Sequence, residues 1–131
     1  MIVVDASAVL ELLLRTDKGT KGEERVLNSE ESLHAPHLID IEVTQTLRRL
    51  VSHREITAAR AKQALEDHVA LNVKRAEHKG LLDRVWTLRD SVTAYEAAYV
   101  VLAEILDAPL ITCDAKLARS HGHKARIELI E

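Results

Sequence analysis

The sequence predicts a three-layer α/β/α sandwich with a central parallel sheet, built as one domain over its 131 residues. Short runs of β-branched and apolar residues alternate with longer stretches of helical period, the pattern of a parallel sheet covered on both faces. The start, VVDASAVL, is echoed by ITCDAKLA from Ile111: each reads strand, then Asp, then Ala, then helix. With only four Gly and two Pro, the connections should be short.

Ile2–Val4 reads as a buried strand, and Ala6–Leu14 as the short helix after it. Thr20-Lys21-Gly22-Glu23 has the form of a capping box and predicts a second helix to about Leu27. Leu33–Ala35 is a short apolar piece before Pro36. Leu38–His53 is helical, because Ile39, Val43, Leu47, Leu50 and Val51 recur at its period. Thr57 suits the N-cap of a helix to about Val69, and Leu71–Arg75 suits a strand. Glu77–Leu88 is predicted helical, with Leu81, Leu82, Val85 and Trp86 on one side. Thr93–Leu106 is apolar almost all round and predicts a buried helix, ended by Asp107-Ala108-Pro109. Leu110–Thr112, Ala115–Ser120 and Arg126–Ile130 complete the pattern as strand, helix and strand.

Composition narrows the function classes. Hydrophobic residues make up 47 % and there is no Phe, so the core must be Val, Leu, Ile and Ala. The formal net charge of −3 argues against coating nucleic acid by bulk charge, while leaving room for a local basic patch. A lone Cys113 fits a reducing compartment. No apolar run reaches membrane-spanning length, and the N-terminus lacks the basic segment and cleavage signal of a secretory leader. These features predict a soluble cytoplasmic protein with no membrane partner.

Four acids carry the chemistry. Asp5 and Asp114 follow strands, on the rim where open α/β sheets bind ligands. Glu42 lies about 100° from the middle of its helix's apolar stripe, an edge position that can face a cleft. Glu96 sits in the first turn of the buried helix. Each has a purely structural alternative. Asp5 and Asp114 can be N-caps, Thr93-Ala94-Tyr95-Glu96 is a capping box, and Glu42 can be a solvated helix residue. Together on one rim, four carboxylates would repel strongly unless a cation sat among them. A hard divalent ion such as Mg²⁺ matches that donor set and suits phosphodiester hydrolysis.

These motifs resemble the PIN domains, specifically the VapC-type toxins of toxin–antitoxin pairs. The likeness rests on Ile2-Val3-Val4-Asp5-Ala6-Ser7-Ala8 and on Ala35-Pro36 followed by Glu42-Val43. It continues in Thr93-Ala94-Tyr95-Glu96-Ala97-Ala98-Tyr99 and in Leu110-Ile111-Thr112-Cys113-Asp114-Ala115. The resemblance implies a Mg²⁺- or Mn²⁺-dependent endoribonuclease acting through Asp5, Glu42, Glu96 and Asp114. It implies Asp5, Glu96 and Asp114 as metal ligands, with Ser7 and Thr112 supporting them. It also implies a homodimer and a cognate VapB-type antitoxin that inserts a segment into the cleft. The family usually has Asp where this chain has Glu96; the expectation is that a changed rotamer keeps the site, the alternative being weaker metal binding with low activity or a preference for Mn²⁺.

Other residues weigh less. The seven His show no zinc or protease spacing. Cys113 reads as a small buried hydrophobe. Tyr95 and Tyr99 read as core, with base stacking as the alternative, and Trp86 as core or dimer interface. Arg15, Lys18 and Lys21 in the loop after the first helix, and Arg48, Arg49 and Arg54 along the Glu42 helix, are candidate RNA contacts. Two rival functions remain. One is a receiver-like phospho-acceptor domain, for which adjacent acids and a strand-end Lys are missing. The other is an inactive PIN relative that binds RNA or antitoxin without cutting.

Overall fold

A computed structural model describes residues 1–28 and 30–131. Five strands, β1 (Ile2–Val4), β2 (Leu33–Pro36), β3 (Val73–Ala76), β4 (Leu110–Thr112) and β5 (Ile127–Leu129), form one sheet in the order β3-β2-β1-β4-β5. Every neighbouring pair is parallel. Among the described residues the helices are α1 (Ala6–Leu13), α2 (Asp17–Val26), α3 (Leu38–Ser52), α4 (Ala58–Ala70), α5 (Leu82–Thr87), α6 (Ala94–Leu106) and α7 (Ala115–Ala118). None of them is long and apolar enough to cross a membrane.

The chain runs outward from β1 to β2 and β3, then returns to the other side of β1 for β4 and β5. With crossovers of the ordinary hand, that reversal puts the two sets of helices on opposite faces, making the three-layer sandwich. It also makes the β1–β4 boundary the switch point of the sheet, with a crevice above the strands' carboxyl ends. β1 and β4 are buried throughout, so β1 reads as an unbroken apolar run and β4 as Leu110-Ile111 closed by the buried Thr112. α6 packs across β1, β2 and β4 with an unbroken buried run from Ala97 to Ala103. It stops where Asp107 takes a left-handed conformation, φ 48°.

Several boundaries differ from the sequence expectation. α2 begins at Asp17, because the Thr16 hydroxyl accepts the Gly19 N–H at 3.0 Å and caps it. Thr20, expected as the cap, lies inside the helix with its hydroxyl turned back to the Thr16 carbonyl. β3 starts two residues late, since Leu71 is used to cap α4. The 77–88 segment opens with a 3₁₀ turn at Lys79–Leu81 and only then becomes α5. That turn changes the helical phase: Leu81, Val85 and Leu88 pack inward, and Leu82 and Trp86 point out. Trp86 is therefore not core. It is 67 % exposed, with the Arg89 guanidinium 4.7 Å from its ring centroid.

α1 and α2 meet at Gly19, where a methyl group would sit 2.0 Å from the Glu11 carbonyl oxygen. Backbone blocks that position, whereas a methyl at Gly80 would meet nothing within 4 Å. Gly19→Ala should therefore destabilise the protein by about 1–3 kcal/mol despite the better helix former. Gly80→Ala should be neutral or stabilising by up to about 1 kcal/mol. Urea denaturation of both variants beside the wild type checks this, and a neutral Gly19→Ala would contradict the packing.

Candidate active site

Asp5 stands where β1 ends and α1 begins. The residue is only 6 % exposed, and its carboxylate accepts three hydrogen bonds. Ser7 Oγ donates to Oδ1 at 2.6 Å, the Ala8 amide donates to Oδ1 at 2.9 Å, and Thr112 Oγ1 donates to Oδ2 at 2.5 Å. Both hydroxyls are themselves held from β4's end. The Cys113 N–H donates to Ser7 Oγ and the Asp114 N–H to Thr112 Oγ1, each at 3.0 Å. The pair Ser7 and Thr112 thus joins the two strand ends of the switch point through Asp5.

The other three acids reach the same cleft from separate elements. Asp114 caps α7, its Oδ1 accepting the Lys116 N–H at 2.9 Å. Glu42 projects from α3, and Tyr99 Oη on α6 donates to its Oε1 at 2.6 Å. Glu96 opens α6 and closes the capping box: its Oε1 accepts the Thr93 N–H at 3.0 Å, and its own N–H bonds Thr93 Oγ1 at 3.1 Å. The structural and functional readings are therefore not exclusive. Asp5, Asp114 and Glu96 each cap a helix, and all four acids line one cleft of about 750 Å³. The extra methylene of Glu96 has a use, because a side chain of that length reaches back to the N-cap amide. Asp114 Oδ2, Glu42 Oε2 and Glu96 Oε2 make no hydrogen bond among the described residues.

The electrostatics follow from burial and crowding. Burial pushes the Asp5 carboxyl above the ordinary range, against the pull of its three hydrogen bonds, and the Asp114 charge adds to the rise. Burial likewise raises Glu42, and the charges of Asp5 and Glu96 raise it further. Tyr99 is raised by burial and by the Glu42 carboxylate beside it, so it stays a neutral donor. Burial, with Glu11 and Asp5 nearby, pushes the Cys113 thiol up to about 11, which leaves it a poor nucleophile at neutral pH.

The cations are divided. Arg49 lines the cleft. Arg15 opens instead on a separate cavity beside Gly19 and Glu23, and Lys18 and Lys21 lie within α2 and not in a loop. Lys21 is turned to the Glu131 carbonyl, and Arg48 bonds Gln45. Arg54 follows α3 with φ 58° and does not line the cleft. Two members of the site were not anticipated. Glu11, one turn after Ser7 on α1, lines the cleft and takes the Thr16 hydroxyl. Tyr99 is buried as expected of core, yet its hydroxyl serves Glu42. Tyr95, also expected in the core, is exposed at the cleft.

An all-oxygen donor set of this kind matches a hard divalent cation. No three acids, His or Cys among the described residues lie close enough to enclose an ion by themselves. The fit is therefore to an ion that keeps much of its water and takes a few carboxylate oxygens, which is the habit of Mg²⁺. Among the described residues no Lys lines the cleft, whereas a receiver-like arrangement calls for one at a strand end.

Because folding raises the Asp5 pKa, the native state holds that proton more tightly than the unfolded chain. Stability in the absence of metal should then fall as pH rises from the ordinary carboxylate value through the raised native one. Asp5→Asn removes the buried charge and keeps the shape. In EDTA at pH 7 the variant should resist urea better than the wild type, and the gap should close towards about pH 4, where free Asp protonates. An equal pH dependence in both proteins would contradict the assignment.

Comparison with known proteins agrees with this architecture. Residues 2–121 match the family model described as PIN domain. Ribonuclease VapC12 of Mycobacterium tuberculosis is 42 % identical over 130 residues, covering 99 % of each chain. VapC ribonuclease Mb0985 of Mycobacterium bovis is 43 % identical over 118 residues, covering 90 % of this chain and 89 % of its own. The crystal structure of PAE2754 from Pyrobaculum aerophilum superposes with a TM-score of 0.70 at 26 % identity, over 96 % of this chain and 81 % of that one. On the fold, the switch-point site and these relatives, the chain belongs to the PIN-domain family, as one of its VapC-type ribonucleases.

Proposed function

We propose that this protein is the toxin of a type II toxin–antitoxin pair, an endoribonuclease that hydrolyses RNA phosphodiester bonds with Mg²⁺, or Mn²⁺ in its place. The observation that carries the reading is the convergence of Asp5, Glu42, Glu96 and Asp114, from four separate elements, on one cleft at the sheet's switch point. Two of those carboxyls are pushed upward, first by burial and then by neighbouring acids: Asp114 acts on Asp5, and Asp5 and Glu96 act on Glu42, so the cluster is electrostatically strained. A cation relieves that strain.

Asp5, Glu96 and Asp114 are the residues that would hold the ion, directly or through the water it keeps. When bound, it supplies Lewis-acid stabilisation of charge on the phosphate oxygens and activation of water. Ser7 and Thr112 keep Asp5 pointed into the cleft, a supporting role whose loss typically costs about 10–100-fold in metal affinity or activity. Tyr99 fixes Glu42 through Oε1 and leaves Oε2 to orient the attacking water. The raised pKa of Glu42 favours it as the proton acceptor. Arg49, on the cleft wall, draws the phosphate in.

The same reading supplies the partners. A cognate VapB-type antitoxin would silence the enzyme by placing a cationic side chain among the acids, in competition with the ion. A homodimer would cover the apolar residues Leu82 and Trp86 that α5 leaves exposed. The site of action would be the cytoplasm.

The test is cleavage of total RNA by the purified protein in Mg²⁺, Mn²⁺ or EDTA, beside Asp5→Asn prepared identically. Cutting should appear with either ion and vanish with EDTA and in the variant. Cutting that survives in both would contradict the assigned site; an absence of cutting under every condition would leave the non-cleaving RNA- or antitoxin-binding reading.

A further inference from the structure

We propose that Tyr95, supported by Ile41, is the surface on which a nucleobase beside the cut phosphate stacks, and that this contact positions the strand over the carboxylates. The proposal rests on the ribonuclease reading above. Two large apolar side chains stand at the mouth of the cleft, Tyr95 at 63 % exposure and Ile41 at 70 %. Each adjoins an acid of the cluster in sequence: Ile41 precedes Glu42 on α3, and Tyr95 precedes Glu96 on α6. They face the same space from opposite helices.

The two tyrosines of α6 make the point by contrast. Tyr99 is buried and its hydroxyl is spent on Glu42. Tyr95, one turn nearer the cleft mouth, makes no hydrogen bond among the described residues. Its ring supports neither the core nor the cap. An aromatic ring with two side-chain torsions offers a large contact area at small entropic cost, and every base has a face to lay on it.

Charge gives the second argument. Asp5, Glu42, Glu96 and Asp114 line the cleft, and among its described lining residues Arg49 is the one Lys or Arg. Bulk attraction for the phosphate backbone is therefore weak at this spot, and the net charge of −3 adds nothing to it. Beyond Arg49 and the ion of the reading above, further affinity close to the cut calls for a contact that carries no charge, and a base face supplies one. Asp5 lies deep enough to be 6 % exposed, so the phosphate must descend while its neighbouring base stays at the rim. A base already stacked inside a duplex cannot do this; an unpaired one can.

The test uses Asp5→Asn protein, which should bind without cutting, and a fluorescein-labelled mixed-sequence RNA 12-mer carrying 2-aminopurine at successive positions, in Mg²⁺. Adding Tyr95→Ala should weaken binding about 5- to 150-fold, the equivalent of one stacked base at about 1–3 kcal/mol, and abolish quenching of 2-aminopurine at one position. Tyr95→Phe should keep both the affinity and the quenching. Because Tyr95 is exposed, neither change should shift the urea midpoint of the protein. Unchanged affinity and quenching in Tyr95→Ala, while the parent binds the RNA and wild type cuts it, would overturn the stacking proposal alone and leave Tyr95 and Ile41 as contacts for a protein partner. Failure of the wild type to cut together with failure of the parent to bind would overturn the ribonuclease reading and this proposal with it.

Discussion

Asp5 is a carboxylate buried at the end of a core strand, and much of the molecule is arranged around the cost of keeping it there. Without partners, an ionised group in that position would be prohibitively expensive. Ser7 and Thr112 each give it a hydroxyl hydrogen, the Ala8 amide adds a third bond, and the amides of Cys113 and Asp114 steady the two hydroxyls. The network also joins β1 to the turn after β4, two segments more than a hundred residues apart in sequence. The switch point of the sheet is thus clamped by the same side chains that define the site.

That arrangement leaves the charge solvated by hydrogen bonds but not neutralised. Asp114 bears on Asp5, Asp5 on Glu42, and Glu96 on Glu42, so the four acids form one interacting set. The fold supplies rigid supports for this set: a strand end for Asp5, helix caps for Asp114 and Glu96, and the Tyr99 hydroxyl for Glu42. Repulsion among fixed acids is a cost that stability alone would remove. Its persistence makes sense if the cleft exists to take a cation and then a phosphate, and it locates the trade between stability and activity at one residue.

The sheet was legible because β1 is an unbroken apolar run followed by Asp5, because Leu110-Ile111 in β4 leads within three residues to Asp114, and because α6 is apolar almost all round. The acids at Asp5 and Asp114 were legible for the same reason, since their strands announce the edge they occupy. What escaped were relations that depend on three-dimensional phase. Leu82 and Trp86 looked inward on a continuous helix, yet a 3₁₀ turn ahead of them rotates both to solvent. Tyr95 and Tyr99 share a helical face, but one lies above the core and the other within it, and a sequence period does not say where the core stops. Thr20 offered a capping box that Thr16 pre-empted by four residues. Glu11 and the hydroxyl of Tyr99 joined the site through spacing to Ser7 and Glu42, which becomes meaningful only once α1, α3 and α6 are in place.

The central claim is that the Asp5 cluster is held ready for a divalent ion, and the most direct measurement is a ¹³C NMR titration of the side-chain carboxyls with and without Mg²⁺. The account predicts that in EDTA Asp5 titrates above the ordinary Asp range, and that saturating Mg²⁺ moves its midpoint down by stabilising the charged form. An Asp5 midpoint in the ordinary range, unmoved by Mg²⁺ or Mn²⁺, would mean that burial and neighbouring acids do not strain this carboxylate and that no ion resides beside it.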